Sequence, residues 1–140
     1  VRLFGFEPKV AFVSHSTFGQ PLTSRTKHIK NAVEILKEKN VNFEFDGDMQ
    51  PDVALNEEYK SLYPFSKIVG NANILIMPGQ HSAAISYKMM KTLGDTKVIG
   101  PLLIGLGLPI EIAPLRSSTS EILNLASIAA YSADVINYKK

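Results

Sequence analysis

Cysteine is absent from the 140 residues. That excludes disulfides, thiolate metal sites and a cysteine nucleophile. It fits a reducing compartment, so a cytoplasmic location is expected. Long apolar runs are also missing. The longest, VIGPLLIGLGLPIEIAPL at 98–115, is broken repeatedly by Gly and Pro. No stretch reaches the roughly 18 apolar residues that a membrane helix needs, and no membrane partner is expected. The net charge of +2 leaves no broad basic field, which argues against nucleic acid as a partner. Several motifs are lacking: the GxxxxGK[ST] phosphate loop, the GxGxxG dinucleotide turn, HExxH and the GxSxG nucleophile elbow. Three histidines without a close pair give no metal site.

What is present is an alternation of strands and helices. Lys9–Ser14 is a short apolar run rich in β-formers and reads as a buried strand. The loop HSTFGQPLTS follows. The helix Ser24–Lys39 comes next, with Ile29, Ala32, Val33, Ile35 and Leu36 at helical spacing. Asn42–Asp46 alternates and reads as a second strand. Pro51 suits the first turn of a short helix. Asn73–Met77 is apolar after Asn73 and is expected in the middle of the sheet. A helix over 83–93 should end at Gly94. KVIGPLLIG and PIEIA read as two further strands. Ser118 and Glu121 form a capping box for a last helix to about Tyr131. The expected fold is α/β, a three-layer, mostly parallel sheet with helices on both faces. Residues 1–8 read as a joint to an upstream part of a longer protein, and 9–140 as one lobe.

Ligands of such sheets sit at the carboxyl ends of the strands. Three loops fall there: HSTFGQ, PGQHS and PLRSSTS. The first offers Ser14, His15, Ser16 and Thr17, whose hydroxyls and amides suit phosphate or carboxylate, or else simply cap the next helix. The second offers Gln80, His81 and Ser82, with Ser82 as an ordinary helix cap in the plainer reading. The third offers Arg116, Ser117 and Ser118. His28 lies on a Lys-rich helix face and reads as surface. Asp46, Asp48 and Asp52 read as solvated turn carboxylates.

The order of segments KVAFVSHST, DGDMQPDVAL, ANILIMPGQHSAAISYKMMKTLGD, VIGPLLIGLGLPI and SEILNLASIAA resembles the phosphate acetyl/butyryltransferase family over about residues 8–131. Within it, the chain is most similar to the C-terminal domains of multidomain NADP-dependent malic enzymes. The resemblance implies one lobe of an isocitrate/isopropylmalate dehydrogenase-like fold. Active members carry Ser-Arg-Gly-Cys-Ser and then an acidic pair before the last helix. The arginine stabilises developing charge, and a carboxylate is base for the coenzyme A thiol. Here Pro114 and Leu115 stand where Ser and Arg belong, Ser120 replaces one acidic residue, and Glu121 keeps the other. Arg116 fits the arginine position only with a one-residue deletion.

The resemblance therefore implies a domain that has lost acetyl transfer, senses acetyl-CoA or another phosphate-bearing small molecule, and assembles as a homodimer or higher homo-oligomer. No cofactor is expected in this segment. NADP, a divalent metal and malate oxidation would belong to the upstream part. Two alternatives stay open: an active phosphate acetyltransferase using Glu121, and a purely structural dimerisation domain.

Overall fold

The computed structural model describes residues 1–137, with side chains to 135; residues 138–140 of the expected lobe lie outside the described residues. The chain divides into two compact units, Val1–Lys88 and Met89–Lys140.

The first unit is built on a three-stranded, all-parallel sheet in the order β2-β1-β3. Strand β1 is Lys9–Val13, β2 is Glu44–Met49 and β3 is Ile74–Ile76. Neighbouring residues of a strand point to opposite faces. Val10 and Ala11 are both buried, so both faces of β1 are covered, as the apolar run requires. Helix α1, Ser24–Glu38, packs on β2, and the short helix α2, Pro51–Leu55, packs on β1. A second short helix, α3, is Glu57–Lys60. Ala11, Val13, Met49, Val53, Ala54, Ile68 and Ala72 form the core, with Phe18, Tyr63, Leu75 and Met77 packed against it. Asn73 pins the start of the sheet. Its side-chain oxygen accepts from Lys9 N (2.8 Å), its amide donates to Glu7 O (2.8 Å), and its backbone N–H donates to Lys9 O (3.0 Å).

Helix α4, Gln80–Leu93, begins three residues before the expected position and continues into the second unit. It stops at Gly94, whose N–H donates to Met90 O at 2.9 Å. The second unit holds helix α5, Thr119–Asn137, which runs six residues beyond Tyr131. No described helix is long and apolar enough to cross a membrane.

Four expectations need correction. β3 is an edge strand, not the middle one: β1 lies between its neighbours, and Ile76 is exposed. The second strand is shifted to Glu44–Met49, because pairing with β1 continues past Asp46 through a bulge. KVIGPLLIG and PIEIA are not strands. Residues 97–113 are irregular, because Gly100 and Gly105 hold positive φ and Pro101 and Pro109 lack the N–H a ladder needs. Along α1, Val33 is buried but Ile35 faces solvent.

Candidate functional site

Two of the three loops border one cleft in the first unit, of about 620 Å³. Val13, Ser14 and His15 enter it from the end of β1, and Met77, Pro78, Gly79, His81 and Ser82 from the end of β3 and the start of α4. Arg25, His28 and Ile29 come from the first turns of α1, and Pro51 from the start of α2. The cleft thus sits where an open parallel sheet binds ligands. It also lies beside the positive ends of α1 and α4.

The charge of this lining is one-sided. All three histidines of the chain border the cleft, with Arg25, and no carboxylate is among the lining residues. His28 is exposed, as the Lys-rich helix face suggested, and it also borders the cleft. Among the described residues no group of three His, Asp or Glu is placed to hold a metal ion. The arrangement suits an anion: Arg25 is a fixed cation, and the imidazoles and the Ser14 hydroxyl can each donate a hydrogen bond.

A bulge in β2 shapes the first loop. Phe12 pairs with Gly47, but Val13 pairs with Met49, so Asp48 is the extra residue. Gly47 permits this: a Cβ there would lie 2.6 Å from Phe12 O. Asp48 is buried beneath the loop after β1. Its carboxylate accepts from the Ser16 hydroxyl and from Gly19 N (3.1 Å), and its carbonyl accepts from Phe18 N (2.6 Å). Thr17 Oγ1 accepts from Gln50 N (3.2 Å), and the Gln50 amide donates to His15 O (3.2 Å). Phe18 wedges its ring against Phe65 and Tyr63, with centroids at 4.8 and 5.5 Å. Ser16 and Thr17 are thus buried and committed to the fold, while Ser14 and His15 border the cleft.

Asp46 is no solvated carboxylate either. It is buried and accepts from Lys67 N (2.8 Å) and Gly47 N (3.0 Å). Asp52 is exposed, at the start of α2, and accepts from its neighbour Val53 N (3.0 Å). In the second loop Gln80 is exposed and opens α4. Ser82 does not cap that helix by accepting; its hydroxyl donates back to Gly79 O (2.8 Å).

The third loop belongs to the second unit. Ser117 N closes a turn onto Pro114 O (3.0 Å), leaving Leu115 and Arg116 exposed. The capping box forms as expected. Ser118 N and its hydroxyl donate to Glu121 Oε2 at 2.8 and 3.0 Å, and Glu121 N returns a bond to Ser118 Oγ at 3.3 Å. The other carboxylate oxygen of Glu121 meets Lys91 Nζ at 2.5 Å. The Lys91 ammonium, then the two Ser118 donors, pull the Glu121 carboxyl down to about 2.

Sequence reasoning missed Arg25 and His28 as cleft residues and Asp48 and Gln50 as its scaffold. The first pair had a usable signal, since positions 25 and 28 lie in the first turns of a helix that follows a candidate ligand loop.

The model of the phosphate acetyl/butaryl transferase family matches residues 1–130. An NADP-dependent malic enzyme of Rhizobium meliloti is 48% identical over 132 residues, covering 94% of this chain and 17% of that protein. A phosphate acetyltransferase of Clostridium acetobutylicum is 35% identical over 133 residues, covering 94% of this chain and 40% of that protein. A phosphotransacetylase structure from Streptococcus pyogenes superposes with a TM-score of 0.85 at 34% identity, over 94% of this chain and 40% of that one. The chain thus spans under a fifth of this malic enzyme and two fifths of the transferases. On the family match over residues 1–130, the chain belongs to the phosphate acetyl/butaryl transferase family.

Proposed function

We propose that this chain is a non-catalytic, acetyl-CoA-sensing and oligomerisation domain of an NADP-dependent malic enzyme. NADP, a divalent metal and the oxidative decarboxylation of malate belong to the rest of that protein, in the cytoplasm. The observation that carries the reading is the state of Glu121. A general base for a thiol works best with a pKa near the working pH. Glu121 is held at about 2 and its carboxylate is engaged by Lys91 and Ser118. Pro114 and Leu115, in place of Ser and Arg, leave no charge stabiliser at that position. The cleft of the first unit, with Arg25 and three histidines and no carboxylate in its lining, supports a phosphate-bearing ligand. Exposed Ile104, Leu108 and Leu123 support an apolar assembly surface on the second unit.

The test is calorimetric titration of the intact protein with acetyl-CoA, alongside an assay of coenzyme A-dependent acetyl phosphate turnover. Acetyl-CoA binding without turnover, in a protein that sediments as a dimer or larger, is the expected result. Absence of acetyl-CoA binding sinks the sensing role, and a monomer sinks the assembly role. Active transfer is the second reading, supported by the 35% identity to a phosphate acetyltransferase. A robust rate that Glu121→Gln abolishes would replace the first reading with it.

A further inference from the structure

We infer that anion capture at the cleft is proton-linked: His15, His28 and His81 line the same cleft as Arg25, and the site takes up protons as it binds an anion. The inference rests on the reading of this cleft as the ligand site and adds its regulation. Three separate segments, the loop after β1, the first turns of α1 and the start of α4, each bring one imidazole to the same cavity of about 620 Å³. Those are all the histidines the chain has. Imidazole is the side chain whose charge ordinarily changes between about pH 5 and 8. Here that change falls where the sole fixed charge in the lining is the Arg25 guanidinium.

The charges on the surrounding elements do not cancel it. Lys27 and Lys30 share α1 with His28, and Lys88 shares α4 with His81. Asp52 on α2 is the acidic side chain next to the lining, and it faces Val53 N. Asp48 lies beneath the first loop, bound to Ser16 and Gly19. An anion entering the cleft therefore meets three imidazoles and a guanidinium, with no carboxylate in the lining to compensate. By linkage, protons raise anion affinity and the anion raises proton affinity by the same factor.

Sulfate is the right probe, because it keeps both negative charges across this range while phosphate itself titrates. Affinity of the intact protein for sulfate and for acetyl-CoA is measured at about pH 6 and about pH 8, with histidine ring signals followed by NMR. Sulfate should bind about fivefold or more tightly at the lower pH, with all three ring signals shifting. The triple variant H15Q/H28Q/H81Q should lose the pH dependence; the positions are exposed, so folding should survive. Arg25→Gln should weaken sulfate binding at both pH values and keep the dependence. Affinity that is flat with pH, or a dependence that persists in the triple variant, overturns the inference while leaving acetyl-CoA binding intact. Failure of both probes to bind at either pH overturns the ligand site itself.

Discussion

The buried carboxylate of Asp48, the extra residue in the β2 bulge, accepts the hydroxyl hydrogen of Ser16 in the loop after β1. The same carboxylate holds Gly19 N, so one side chain fixes both ends of the turn that follows His15, a cleft residue. Asp48→Ala orphans both donors. It should lower stability by about 1–3 kcal/mol for each donor left buried without a partner. It should also weaken acetyl-CoA binding, because the loop loses its fixed path. Denaturant unfolding of D48A, S16A and the double variant gives the coupling. A coupling below about 0.5 kcal/mol would count against the clamp.

A second prediction concerns the residue that permits the bulge. A methyl at position 47 would sit 2.6 Å from Phe12 O and 2.7 Å from Phe12 Cβ, both on the paired strand. Backbone cannot yield as a flexible side chain does. Gly47→Ala should therefore cost about 1–3 kcal/mol by overpacking and drag Asp48 out of position. Loss of protection at the Gly19 amide in hydrogen exchange would report that displacement. Unchanged protection in a stable G47A variant would show that the bulge tolerates a side chain.

These two residues mark where the sequence stops being readable. β1, α1, α4 and the Ser118 capping box follow from local patterns: an apolar run, a 3.6-residue period, a Ser-x-x-Glu spacing. Asp48 has no such pattern. In DGDMQ a carboxylate on a bulged strand looks the same as one in a solvated turn, and only pairing with β1 distinguishes them. His28 was obscured differently. The lysines around it describe the helix surface truthfully, but the azimuth of α1 on β2 decides that position 28 borders the cleft. Residues 97–113 misled in the other direction. Their apolar content is that of a strand, but a strand also needs a ladder partner, and Gly and Pro withhold it.

Glu121 gives a prediction in pH. Its folded carboxyl lies near 2 against an ordinary 4.5, so the ionised form favours the folded state. That contribution is complete above about 4.5 and is lost as pH falls towards about 2. The start of α5 should therefore loosen across this acid window. Lys91→Met removes the largest cause and should move the Glu121 carboxyl back towards 4.5. Carbon-detected NMR titration of that carboxyl checks both. A titration in the ordinary range in the unaltered protein would mean that the Lys91 contact does not form in solution.

Lys60 supplies the last prediction, opposite in sign. Its residue is buried at the end of α3, and its ammonium nitrogen has no hydrogen-bond partner among the described residues. Burial of the amine pushes its pKa below the ordinary 10.5, against the opposing pull of Glu57. A lowered folded pKa means that the unfolded chain holds this proton more tightly. Protonation at neutral pH therefore favours unfolding, and the penalty fades as pH rises through the folded value towards 10.5. Lys60→Met keeps the length of the stem and removes the uncompensated charge. It should raise the denaturation midpoint near neutral pH, with a gain that shrinks in alkaline solution. A K60M protein less stable than its parent at neutral pH would show that the amine finds a partner in solution and that the buried stem is not what position 60 contributes.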